Sequence, residues 1–150
     1  MATNHEINVE GLNHLVTIAN DGEKGYNTAA EQAHNPILKA AFLRMAVERA
    51  EFAVELKGLV RLNGGDPDTG GGPVGALHRA WIDIKTALSS DDDKAILNEC
   101  ITGDKAAVNA YETELKDTYL PVEHRAVLER QLKIIKDALF TVESELRQLE

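Results

Sequence analysis

Apolar residues recur at three- and four-residue spacing along four long segments of this chain, and nowhere do they alternate with period two for long enough to face a strand. That pattern predicts an all-α chain. The first segment covers residues 8–33, with Leu12, Leu15, Ala19, Gly22, Tyr26, Ala29 and Ala33 on one stripe. Asn35 followed by Pro36 closes it and opens the next, because asparagine caps free helical amides and proline suits the first helical turn. The second segment runs over residues 36–63, with Leu38, Ala41, Phe42, Met45, Glu48, Phe52, Leu56 and Leu59 facing inward. Asn63, Gly64 and Gly65 supply a left-handed exit. So short a turn between two long helices predicts an antiparallel hairpin.

Five glycines and two prolines in residues 64–73 mark a loop. A shorter amphipathic stretch at residues 74–89 carries Val74, Leu77, His78, Trp81, Ile84 and Leu88 on one face. Ser90 and the acidic run from Asp91 to Asp93 read as a cap and a first turn, favourable at the positive end of a helix. The helix that starts there turns Leu97, Cys100, Asp104, Ala107, Val108, Tyr111 and Leu115 inward and breaks at Tyr119, Leu120 and Pro121. The last helix follows, with Leu128, Gln131, Ile135, Ala138, Val142, Leu146 and Leu149 inside. Helices of about 26 residues are roughly 39 Å long and can lie side by side. Two hairpins joined by a long crossover that holds a short extra helix make a ferritin-like four-helix bundle, one domain over residues 1–150.

Charge narrows the partners. Sixteen Lys and Arg against 25 Asp and Glu leave a formal net charge of -9, which repels nucleic acid and anionic membrane surfaces. The apolar runs are far shorter than a bilayer requires, and residues 1–6 carry no basic-then-apolar leader, so a cytoplasmic location is expected. The single cysteine, Cys100, sits on an apolar stripe and reads as an inert buried thiol.

The informative residues are acidic ones turned toward the bundle interior, since a buried charge must be compensated. Glu48 falls on the inner stripe of the second helix with Glu51 and Glu55 on its edge, and Asp104 falls on that of the third. Glu23 borders the first stripe at nearly the same depth as Glu48. Three arrangements compensate such a set, a partial or single-metal site being the third beside the two that follow. Arg49, His78, Arg79 or Arg125 can neutralise the carboxylates, which is the simpler expectation. Alternatively, carboxylates from several helices can share a pair of iron or manganese ions, with Glu23, Glu48, Glu51 and Asp104 as ligands and His78 as a nitrogen donor. Gly22 and Gly25 each weaken the first helix by up to about 1 kcal/mol. At Gly22 the expected reason is close approach of a ring such as Trp81 or Tyr111.

Residues 75–85 (GALHRAWIDIK), 92–100 (DDKAILNEC) and 25–31 (GYNTAAE) resemble a bacterial four-helix-bundle family of unknown function within the ferritin-like superfamily. Residues 48–53 (ERAEFA), and Gly103 and Asp104 followed by Tyr111, are more distantly similar to the ligand-bearing helices of rubrerythrin. That second likeness implies ligand positions at Glu48, Glu51 and Asp104. It departs from the pattern where Glu51 stands in place of histidine, where Asp104 is shorter than glutamate, and in the last helix, which has no Glu-x-x-His. The superfamily resemblance implies a homo-oligomer. Together these features lead to the expectation of a non-enzymatic bundle acting through self-association or partner binding, with a carboxylate-rich metal-binding bundle as the alternative.

Overall fold

The structure, a computed structural model, describes residues 4–67 and 92–150, with side chains of the first helix from residue 9 onward. The described residues form four helices and no strand: α1 (Asn4–Gln32), α2 (Pro36–Leu62), α3 (Asp93–Leu115) and α4 (Val122–Leu149). The all-α expectation holds. The segment expected to be a crossover helix, residues 74–89 with His78 and Trp81, lies outside the described residues, as do Ser90 and Asp91.

Each boundary has a local cause. Asn35 Oδ1 accepts the amides of Ile37 at 2.8 Å and Leu38 at 3.4 Å, with Pro36 in the first turn, as the sequence led us to expect. The Lys39 ammonium donates to the Ala30 and Glu31 carbonyls at 3.0 and 3.3 Å and closes the preceding helix end. Gly64, at φ 80°, carries the chain out of α2, a backbone conformation that glycine adopts without strain. At the start of α3 the cap is Asp92, whose carboxylate accepts the Lys94 amide at 2.9 Å. α3 ends at Leu115, earlier than the Tyr119 break suggests. There the Arg125 guanidinium donates to the Leu115 and Asp117 carbonyls, both at 2.8 Å, and fixes a turn ahead of Pro121. Arg125 therefore works at a helix terminus and not as a neutraliser in the core.

Two contacts define the topology. The Asp93 carboxylate accepts the amides of His34 and Asn35 at 2.9 and 3.1 Å, so α3 starts beside the α1–α2 turn. Asn63 Nδ2 meets His124 Nε2 at 2.7 Å, so α4 starts beside the end of α2. α1 and α2 are thus antiparallel, as are α3 and α4, while α2 and α3 run parallel. The chain leaves α2 at one end of the bundle and enters α3 at the other. α1 packs closely on α2 and α3 on α4, and of the remaining neighbouring pairs α1 and α3 meet more than α2 and α4 do.

The core is divided along the bundle axis. One apolar cluster gathers Leu15, Phe52, Leu56, Tyr111 and Leu128; the other gathers Phe42, Met45, Ile96, Leu97 and Val142. Between them, on three of the four described helices, stands a buried residue that belongs to neither cluster: Gly22 on α1, Arg49 on α2 and Asp104 on α3. Among the described residues no helix is long and apolar enough to cross a membrane.

Asp93 is the tie between the two hairpins at one end. Asp93→Ala removes the acceptor for two turn amides that are open to solvent, and a loss of about 1–2 kcal/mol is expected. Urea denaturation followed by circular dichroism should show a lower midpoint with an unchanged m-value.

Candidate functional site

The dividing layer of the core is built around a charge pair. Arg49 is 2% exposed and Asp104 0%, and the Arg49 Nη1 lies 3.0 Å from Asp104 Oδ1. The Tyr26 hydroxyl donates to Asp104 Oδ2 at 2.5 Å, so the phenol meets one carboxylate oxygen while the guanidinium charge faces the other. The Arg49 guanidinium also lies over the Tyr26 ring, 5.1 Å from its centroid, an attractive cation–π arrangement. Its Nε and Nη2 groups have no hydrogen-bond partner among the described residues.

Space for this arginine comes from α1. A Cβ built on Gly22 would stand 3.1 Å from Arg49 Nη1 and 3.3 Å from its Cγ. The close approach expected at Gly22 is therefore made by the arginine and not by an aromatic ring. A side chain on α1 at this point would require the arginine to give way by a few tenths of an ångström.

Burial decides the electrostatics. It raises the Asp104 carboxyl above the usual carboxylate range, against the pull of the Arg49 charge and the hydrogen bonds from Arg49 and Tyr26. Burial opposes the Arg49 charge as well, yet Asp104 and the neighbouring phenols outweigh it and hold the guanidinium above its ordinary value. Tyr26 is pushed well up by burial and by the Asp104 charge, which keeps its proton in place as a donor. Burial likewise pushes up the Cys100 thiol, in keeping with an inert cysteine.

A second polar chain leads outward from the cluster that contains Leu56 and Tyr111. The buried Tyr111 hydroxyl donates to Gln131 Oε1 at 2.6 Å, and Gln131 Nε2 donates to Glu55 Oε1 at 2.8 Å. Glu55 also pairs with Arg130 at the surface. Glu55 lines a cavity of about 810 Å³ on the outer side of α2. Glu23, Glu48, Glu51 and Arg130 supply its other charged groups. Its apolar wall includes Val47, Ala50, Phe52, Val54 and Ile134.

The structure thus separates the expected ligands. Glu23 and Glu48 are half-buried and Glu51 is exposed, and all three line this cavity. Asp104 stands in the core, bound to Arg49. His78 lies outside the described residues. Glu48 is not the inner residue of α2; Arg49 is, one position and about 100° further round the helix. Arg49 has Met45, Ala46, Phe52 and Ala53, all buried, at its three- and four-residue neighbours, whereas Glu48 shares only part of that set. The two small alanines beside Arg49 were the available signal. Tyr26 was legible as a core ring, but not as the hydroxyl donor to Asp104.

This geometry does not suit a two-metal centre among the described residues. No three His, Cys, Asp or Glu side chains there are grouped so as to hold a metal ion. The inner carboxylate already faces a guanidinium, and a dication at the same place would be repelled by it.

The sequence profile described as "Domain of unknown function (DUF2383)" matches residues 8–117. The chain belongs to the DUF2383 family. No curated protein matches it. The DUF2383 match spans Tyr26, Arg49, Asp104 and Tyr111, and ends at Asp117, before α4 brings in Gln131 and Arg130.

Two outcomes follow from the buried layer. Arg49→Met leaves an uncompensated carboxyl in the core and should destabilise by about 3–5 kcal/mol, whereas Arg49→Met with Asp104→Leu should recover most of that loss. A double-mutant cycle by urea denaturation measures the coupling. Gly22→Ala should show a change of sign: neutral to destabilising while Arg49 is held on Asp104, and stabilising by up to about 1 kcal/mol in the Arg49→Met/Asp104→Leu background, where only helix propensity remains.

Proposed function

We propose that this protein is a single ferritin-like bundle that acts through association with a protein partner and performs no chemistry at a metal centre in its interior. The observation that carries this reading is the Arg49 guanidinium on Asp104. A fixed positive charge occupies the place where a two-metal bundle gathers carboxylates around cations. The parallel run of α2 and α3 supports the ferritin-like connectivity, which requires one long crossover.

Support for association comes from the outside of the bundle. Leu43, Val47 and Val54 on α2, and Val122 and Phe140 on α4, are large apolar residues that are at least half exposed. Apolar side chains grouped on a surface are characteristic of interaction faces. A net charge of -9 directs such a face toward protein and away from nucleic acid.

Elemental analysis of protein purified without added metal or chelator tests this reading, together with the Glu48→Gln variant. The expected result is protein without stoichiometric iron or manganese. Burial holds the Glu48 carboxyl above its ordinary value, chiefly by disfavouring its charge. Folding therefore binds a proton between the ordinary and the raised value, and ionised Glu48 opposes folding at neutral pH. Glu48→Gln should then be the more stable protein at pH 7, and its advantage should shrink as pH falls through the raised value toward the ordinary carboxylate range. Stoichiometric iron or manganese in the parent that is lost in Glu48→Gln would overturn the proposal in favour of a metal-binding bundle.

A further inference from the structure

Asn63 is the only asparagine of the chain that precedes a glycine, and it stands where α2 ends. An asparagine in that setting is open to attack by its own backbone. The Gly64 amide nitrogen gives up its proton and bonds to Asn63 Cγ, the Cγ–Nδ2 bond breaks, and ammonia leaves behind a five-membered imide. Water then opens the imide at either carbonyl and gives aspartate or isoaspartate. Glycine favours the step because it puts no side chain in the path of the attack and leaves the backbone free to turn. Gly64 is exposed and Asn63 half-buried, so water reaches the pair.

The fold holds both nitrogens away from this reaction. Asn63 Nδ2 donates to the Leu59 carbonyl at 2.8 Å, and the same nitrogen lies 2.7 Å from His124 Nε2. A carbonyl oxygen only accepts, so the amide nitrogen is the atom turned toward Leu59, and Nε2 accepts its second proton. His124 is 5% exposed and sits in the first turn of α4, which fixes the position of that acceptor. The attacking nitrogen is engaged as well: the Gly64 N–H donates to the Arg61 carbonyl at 3.0 Å. The Asn63 backbone stands at φ -95° and ψ 13°, and closing the imide ring requires ψ to turn well away from this helix-like value. Two hydrogen bonds on the leaving nitrogen and one on the attacking nitrogen must therefore open together.

We infer that Asn63 is a site of spontaneous deamidation and that the contact with His124 sets its rate. Loss of the amide changes the bundle. A carboxylate at position 63 has no proton to offer the Leu59 carbonyl or His124 Nε2, so the tie between the end of α2 and the start of α4 is lost until the imidazole takes up a proton. Isoaspartate also adds a carbon to the main chain at the turn out of α2. The modification unfastens the end of the bundle opposite the Asp93 tie.

Full-length protein held in mildly alkaline buffer, sampled over time and mapped by peptide mass spectrometry, gives a rate for each asparagine. In the parent, Asn63 should react ahead of every other asparagine. It should also react at least about tenfold more slowly than in the same chain unfolded in urea, because the folded chain reacts only through local opening. His124→Phe keeps a ring and removes the acceptor, and its rate should rise severalfold. His124→Gln returns an acceptor and should stay close to the parent. Asp93→Ala loosens the far end of the bundle and should leave the rate unchanged, which separates the contact from general loss of stability. Equal rates for folded and urea-unfolded parent, or an earlier reaction at another asparagine, overturn the inference. So does equal or slower reaction in His124→Phe; a slower one would make the imidazole a proton donor to the departing ammonia. Acceleration in Asp93→Ala that matches His124→Phe also overturns it. The comparison with urea and the His124→Gln rate decide the matter even where His124→Phe loses its helices by circular dichroism.

Discussion

A guanidinium and a carboxylate 3.0 Å apart, both out of contact with water, set the terms for the rest of this bundle. Neither charge is tolerable there alone, and each is tolerable only in the presence of the other. Because Arg49 comes from α2 and Asp104 from α3, the diagonal helices of the bundle are fixed in one axial register. Tyr26 adds α1 through its hydroxyl, and Gly22 adds it again through the absence of a side chain. An apolar core alone would permit neighbouring registers, since leucine and alanine exchange contacts with small differences in energy. The polar layer permits one. It also divides the core into two clusters that pack separately on either side.

Much of the fold was readable because it rests on local chemistry. Asn35 and Pro36 placed the α1–α2 turn through a cap and a fixed backbone angle, both properties of adjacent residues. The end of α3 was less readable, because the apolar spacing runs on past Leu115 while the helix stops there. What stops it is Arg125, a residue of the following helix that binds the Leu115 and Asp117 carbonyls. Sequence periodicity contains no term for a partner ten residues downstream. The acidic run before α3 illustrates both cases. Asp92, and not the expected Ser90, caps the helix, two residues later in the same polar run, whereas Asp93 reaches the turn between α1 and α2.

The centre of the bundle was displaced by one residue in the sequence reading, and the cause is specific. Glu48 and Arg49 both fit a three-and-four spacing between Met45 and Phe52. Spacing alone does not choose between them, because both residues have Met45 and Phe52 as three- or four-residue neighbours. What decides between them is a fact about three helices together: Gly22 leaves a channel for the arginine stem, Asp104 offers a charge at its end, and Tyr26 completes the carboxylate. Asp104 itself was legible, because its neighbours on α3 are apolar at every helical spacing. Gln131 was legible for the same reason, and its role as the link from Tyr111 to Glu55 depends on α2 again.

That link connects the interior of the bundle to its outer face. Glu55 is held from one side by Gln131, which the buried Tyr111 orients, and from the other by Arg130. A surface carboxylate ordinarily rotates among several rotamers and loses that freedom when it binds. Glu55 has already lost it on folding, so the acidic flank of α2 is partly ordered by the bundle itself. Inside the bundle, charges are matched within the chain. On the outer side of α2, by contrast, Glu48 and Glu51, together with Glu23 of α1, stand beside a row of aliphatic side chains. The same helix that supplies Arg49 to the centre supplies that row on another side, and the register fixed by the buried pair also fixes the position of that row relative to α3, while Glu55 ties it to α4.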